Sequence, residues 1–226
     1  MIAGSGLRMI LSAALVAALC TACANGNNGK NGKGVTEVTH DGLHLVPHSS
    51  MQRAWVKPGE DFSQYTHVML VDCLVSFKKN WKTSHPGLRA PDMDRVKKEL
   101  AKEFREVFTE ELQKGGYPIV TKPDENVLQV RAALINLEVT APNTLESKDT
   151  TSFKTSVDDM AIFVEFFDSV SNEILARAID RRAARYIGDL QATTRATNRE
   201  KARRMLEHWA DLLVKKLDEV HGKKRG

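Results

Sequence analysis

Met160-Ala161-Ile162-Phe163-Val164-Glu165-Phe166-Phe167, followed by Asp168-Ser169-Val170-Ser171-Asn172 and then by Ile174-Leu175-Ala176, is the stretch that decides the fold. The first part is apolar and carries three phenylalanines, the composition of a strand with a buried face. Asp, Ser and Asn in the middle part are turn chemistry, because their short polar side chains bond nearby backbone and Asn tolerates left-handed φ. Ile174 to Tyr186 returns as a second strand, so the stretch predicts a β-hairpin and an antiparallel sheet.

Upstream, Val127 to Val139 alternates through Leu128, Val130, Ala132 and Leu134 and predicts a longer strand. Its apolar register then slips to Ile135, Leu137 and Val139, which predicts a bulge or bend. Thr140 to Asp158, rich in Ser, Thr, Asn and Lys, reads as a long loop. Tyr117 to Val120 is a short strand candidate. Before it, Val96, Leu100, Phe104, Val107, Phe108 and Leu112 recur at helical spacing, with Asp92 as the expected N-cap and Gly115-Gly116 as the stop. His67 to Val75 is apolar on both alternating faces and reads as an interior strand covered on each side. A polar loop with Trp81, His85-Pro86-Gly87 and Pro91 joins it to the helix.

Downstream, Thr197-x-x-Glu200 resembles a capping box. Ala202, Met205, Leu206, Trp209, Leu213, Leu217 and Val220 then form one stripe of a helix that Gly222 stops. The sum is an α+β domain, a mixed β-sheet packed by two amphipathic helices in the order β-α-β-β-β-α.

The N-terminal segment has a different character. Arg8 precedes an apolar run from Met9 to Leu19, far shorter than the ~20 residues of a membrane span. The run closes on Leu19-Cys20-Thr21-Ala22-Cys23, which resembles a lipoprotein cleavage site with Cys23 as the acylated first mature residue. Cys20 stands where that motif usually has Leu. An ordinary A-x-A site at Ala22-Cys23-Ala24 would instead release a soluble periplasmic protein starting at Asn25. Ala24 lacks the Asp that resembles an inner-membrane retention signal, so the expected location is the outer membrane, facing the periplasm. Asn25 to Gly34 has no apolar residue and four glycines, a tether able to reach ~33 Å when extended. The expected organisation is a signal peptide over 1–22, an anchor and linker over 23–40, and a single folded domain over 41–226.

With Cys20 removed and Cys23 acylated, Cys73 is left without a disulfide partner and reads as a small buried hydrophobe. The chain carries a net charge of +4, and residues 177–226 alone carry +7. Arg177, Arg181 and Arg185 would share one strand face, either against anionic headgroups or as a solvated surface. An exported chain without a nucleic-acid motif is not expected to bind nucleic acid.

No Gly-rich phosphate loop, nucleophile elbow, HExxH or CxxC occurs. His40, His44 and His48 are four residues apart, but Gly42 and Pro47 break any helix that would gather them as metal ligands. Asp72, Glu165, Asp168 and Asp180 lie in or beside predicted strands, where turn formation and strand-end solvation account for them. A hydrolase built on such carboxylates would lose activity on Asp168→Asn. The sequence gives no reason to name an enzyme, a cofactor or a metal, and it leaves the oligomeric state open.

Several short segments in order resemble the bacterial lipoprotein family called domain of unknown function 3313. They are Asp41-Gly42-Leu43, Pro58-Gly59-Glu60-Asp61-Phe62-Ser63-Gln64-Tyr65, Val68–Val75, Asn80-Trp81, Val127–Ala132, Phe167-Asp168-Ser169, Glu173–Ala176 and Trp209-Ala210. One departure is Asn172, where related proteins tend to have Gly. The resemblance implies a signal, a lipid anchor and a periplasmic domain, but no activity. The expected function is a non-catalytic binding or structural module of the bacterial envelope, attached to the membrane by lipid and with an envelope protein as candidate partner. The alternative is an accessory of lipid or small-molecule transport, with an apolar groove between helix and sheet.

Overall fold

The computed structural model describes residues 37–79, 90–140, 154–156, 160–181 and 195–223. The signal, Cys20, Cys23, the Asn/Gly/Lys tether, Trp81, His85-Pro86-Gly87, most of the 140–158 loop and Arg185 lie outside the described residues. The strands are β1 (His44–Leu45), β2 (Arg53–Val56), β3 (His67–Leu70), β4 (Leu74–Phe77), β5 (Val127–Thr140), β6 (Lys154–Ser156), β7 (Ala161–Asp168) and β8 (Ile174–Asp180). The helices are α1 (Ala90–Lys114) and α2 (Arg195–Val220), with a 3-10 turn at Phe62–Gln64.

The predicted hairpin is β7–β8, antiparallel, with Val164 opposite Ala178 and Phe166 opposite Ala176. Asn172 in its turn adopts φ 58°, so Asn fills the left-handed position as expected. Sheet order is β1-β2-β8-β7-β5-β3, with β4 and β6 also pairing to β5. Strand β5 runs antiparallel to β7 and parallel to both β3 and β4, which makes the sheet mixed and the class α+β. Helix α1 supplies the crossover that a parallel neighbour requires.

The predicted bulge sits in β5. Val75 lies opposite Leu134 and Phe77 opposite Leu137, so two steps of β4 match three of β5. Asn136 absorbs the extra residue at φ 58°. Leu134 and Leu137, three residues apart, therefore both end fully buried.

Several details differ from the sequence reading. Strands β1, β2 and β6 were not expected, and β6 lies within the stretch read as a loop over Thr140 to Asp158 because it pairs with the end of β5. The run His67–Val75 is not an interior strand covered on both sides. It forms two short strands end to end along one edge of β5, because Asp72 turns out to solvent and pairs with Arg105 of α1, leaving Leu74 73% exposed. Tyr117–Val120 makes a single parallel bridge, Ile119 to Val68, instead of a strand. Helix α1 begins at Ala90, not Asp92, since Pro91 suits a first turn where its missing N–H is not needed. Helix α2 begins at Arg195, so Thr197 lies inside it and not at its cap.

Both helices end alike. Tyr117 N donates to Leu112 O (2.9 Å) and Gly116 N to Gln113 O (2.9 Å), with Gly116 at φ +80°. Lys223 N donates to Asp218 O and Gly222 N to Glu219 O in the same pattern.

Even-numbered residues of β3, β5 (before the bulge), β7 and β8 share one face. Val68, Leu70, Leu128, Val130, Ala132, Leu134, Ile162, Val164 and Ala178 make the core there with Phe104, Phe108 and Leu112 of α1 and Leu206, Trp209 and Leu217 of α2. The odd-numbered face carries Arg131, Phe163, Glu165, Phe167 and Arg177, all half-buried or exposed.

Candidate functional site

The inward face is not filled everywhere. At the β8 end of the sheet the register places Ala54 of β2 beside Ala178, and Ala178 beside Val164 of β7. Ala176 lies between Val56 and Phe166. Three alanines thus sit where neighbouring strands carry Val, Ile, Leu and Phe. Beneath the second half of α2 they leave a groove of about 370 Å³. Leu212, Leu213, Leu217 and Val220 form its helix wall, Ile162, Val164, Phe166 and Leu128 its sheet wall, and Phe108 reaches it from α1. Protein interiors normally pack to crystal density, so an apolar space of this size is a feature that needs an occupant or a reason.

The mouth is built by the segment Val46–Met51 and by Phe62. Val46 N donates to Ala54 O (2.8 Å), Met51 N to Ser49 Oγ (3.1 Å) and Gln52 N to Asp180 Oδ1 (3.1 Å). His48 takes φ 56°, which turns the chain over the mouth. Phe62 is held by its 3-10 turn, where Asp61 accepts from Ser63 N (2.9 Å); the hydroxyl and backbone N–H of Ser63 keep the Asp61 carboxyl below its usual pKa. Asp180 also accepts from Trp209 Nε1 (2.9 Å), so one buried carboxylate ties β8, α2 and the mouth segment together.

Among the described residues, the groove's polar lining is His48, Ser49, Ser50, Arg177 and Lys216, with no Asp or Glu. Arg177 is committed elsewhere: its Nη2 meets Asp41 Oδ2 at 2.6 Å and its Nε meets Glu165 Oε1 at 2.9 Å. Partial burial works against the charged form of Asp41, but hydrogen bonds from Thr39 and Arg177 outweigh it and hold the carboxyl at about 2. Lys216 pairs with Glu219 one turn along α2 (2.6 Å), both side chains more than half exposed.

The residues singled out from sequence do not converge. Asp72 pairs with Arg105 at the opposite edge of the sheet. Asp168 caps its own turn, accepting from Val170 N (3.1 Å), Ser171 N (2.7 Å) and Tyr65 Oη (3.1 Å). Burial opposes its ionisation, yet those donors bring its pKa below the ordinary value. Asp180 is at the far end of the same hairpin, ~20 Å away at the usual rise per residue. Glu165 is on the opposite face. His40 lies in a turn, His44 in β1 and His48 at the groove mouth, and among the described residues no cluster able to hold a metal occurs. Cys73 is buried, and burial pushes its thiol up to about 12, which makes it unreactive. Of the arginine face, Arg177 is half-buried in ion pairs and Arg181 is exposed beyond the end of β8.

The sequence reading expects a groove between helix and sheet as part of its alternative function but assigns no residue to it; Leu213, Leu217 and Val220 figure there only as a core-facing stripe. The available signal was alanine at inward positions of β2 and β8. Ladder register, which is non-local, was needed to see that the three alanines adjoin.

Fold and cleft together define an α+β protein with a ligand-sized apolar groove between a helix and a mixed sheet. The chain belongs to the family described as "Protein of unknown function (DUF3313)", whose model matches residues 40–213. No curated protein matches it. Solved structures with some likeness include the PelC dodecamer from Paraburkholderia phytofirmans, at 13% identity, covering 76% of this chain and 98% of that one with a TM-score of 0.34. A minor lipoprotein from Acinetobacter baumannii has 11% identity, covering 69% and 94%, with a TM-score of 0.32. A DUF4136 family protein from Bacteroides thetaiotaomicron has 9% identity, covering 75% and 97%, with a TM-score of 0.34. Likeness at that level assigns no function to this chain. No helix of the described residues is long and apolar enough to cross a membrane.

Proposed function

We propose that this chain is a lipid-anchored protein of the bacterial envelope whose folded part is a non-catalytic binding module, with the groove between α2 and the sheet as its ligand site. The observation that carries the reading is that groove: about 370 Å³, walled by Leu, Ile, Val, Phe and Ala, and left unfilled by three adjoining alanines. It favours an apolar small molecule over a protein surface as ligand, because it is a concave cleft of the size small ligands occupy. The anchor reading rests on the segment Leu19–Cys23, and Ala24 supports the outer membrane as its destination.

Lipid extraction and mass spectrometry of the purified protein test the ligand site. A stoichiometric apolar molecule that disappears in Ala178→Leu, a variant that fills the groove, is the expected result. A protein empty under every purification condition would sink the idea. The anchor is tested by labelling cells with a palmitate analogue, where wild type incorporates label and Cys23→Ala does not.

A further inference from the structure

We infer that the ligand of this groove is a single-chain fatty acid, its tail among the three alanines and its carboxylate at Lys216. The inference rests on the groove reading above and specifies its chemistry. Two observations carry it. The first is charge: among the described residues, the ionisable residues lining the groove are His48, Arg177 and Lys216, with no Asp or Glu, and Arg177 turns its guanidinium to Glu165 on the odd-numbered face. Arg177 is held by Asp41 and Glu165, so Lys216 is the cation a head group can recruit. Its present partner, Glu219, lies on the same helix with 62% of its side chain exposed, and an exposed pair of this kind is cheap to exchange. One lysine is a single point charge, which matches the single charge of one carboxylate.

The second observation is volume. About 370 Å³ holds roughly a dozen water-sized groups at ~30 Å³ each, the bulk of one acyl chain and far less than two. The chain enters past Val46–Met51 and runs between Leu213 and Ala178, with its carboxylate left at the wet rim where Lys216 stands.

Calorimetric titration of the purified full chain with saturated fatty acids of increasing length tests the tail. Affinity should rise by about fourfold per added methylene, the transfer value for a buried CH₂, and level off near a dozen carbons. Affinity that climbs undiminished well past that length, or a diacyl lipid that binds tighter than the acid, would overturn the single-chain assignment. The head is tested with alcohol, trimethylammonium and lysophospholipid of the same chain length. The acid should bind about tenfold tighter than the alcohol, as expected for one charge-assisted hydrogen bond. Lys216→Gln should bring the acid down to the alcohol and leave the alcohol unchanged. Equal binding of acid and alcohol, or tighter binding of the lysophospholipid, overturns the fatty-acid assignment while the groove reading stands. Failure of all four ligands to bind would sink both. Because the ligand comparison uses the unaltered chain, it does not depend on any variant folding.

Discussion

Trp209 Nε1 donates to Asp180 Oδ2 at 2.9 Å, and both side chains are almost fully buried. The same carboxylate receives Gln52 N at 3.1 Å through its other oxygen. A buried carboxylate without donors would be costly, so the pair fixes α2 against β8 and holds the mouth segment in place. Asp180→Ala leaves the Trp209 and Gln52 donors unmatched and is expected to cost about 2–4 kcal/mol. Trp209→Phe removes one donor and some packing and is expected to cost about 1–3 kcal/mol. Urea denaturation of both singles and the double mutant checks the coupling, and additive losses would contradict it.

Asn136 carries the bulge that keeps Leu134 and Leu137 on one face. Asn136→Gly relieves the left-handed backbone and should change stability by no more than about 0.5 kcal/mol. Asn136→Val puts a β-branched residue at φ 58° and should cost about 1–3 kcal/mol. Deleting Asn136 moves Leu137 to the other face, the most damaging of the three. Chemical denaturation of the series orders them.

The bulge and the hairpin were legible because each is written in one contiguous stretch. The slip from Leu134 to Leu137 shows a change of register without knowledge of the partner strand, and Asp168 to Asn172 spells its own turn. The edge position of His67–Leu70 was not legible. An apolar run shows that a strand can be buried, but its neighbours are set by β5, some 60 residues on. Strands β1 and β2 were missed for a related reason: they are two and four residues long and are held in place by pairing with each other and with β8. The groove shares this dependence, since Ala54 and Ala178 meet only across the ladder.

Asp41, held by hydrogen bonds from Thr39 and Arg177, predicts a loss of stability in acid. Asp41 titrates at about 2 in the folded chain against 3.8 for an ordinary aspartate. Between those values the unfolded chain binds the extra proton, so folding stability rises with pH through this window. The contribution is fully present above about pH 4 and vanishes as pH falls through about 2; at this partly solvated site it amounts to about 1–2 kcal/mol. Asp168, also lowered, adds a drop of the same sign. Thermal melts between pH 2 and 6 should show a shallower acid slope for Asp41→Asn than for wild type. Parallel slopes would show that the Asp41 carboxylate does not set the acid limit.

Glu103 of α1 is 5% exposed and receives Arg199 Nε (2.8 Å) and Arg203 Nη1 (2.9 Å) from α2. The two sides of this contact are unequal. Arg199 keeps 69% of its side-chain surface and Arg203 keeps 34%, with Glu110 and Glu207 as further partners. Removing the glutamate therefore leaves arginines that water and other carboxylates still serve, and Glu103→Leu should cost no more than about 1–2 kcal/mol. Removing both arginines strands a buried carboxylate with its donors gone, and Arg199→Ala/Arg203→Ala should cost about 3–5 kcal/mol. Adding Glu103→Leu to that double variant should restore part of the loss, because it removes the stranded charge. Equilibrium unfolding at neutral pH decides the point: a triple variant less stable than the double would mean that Glu103 does not depend on the arginines for its charge.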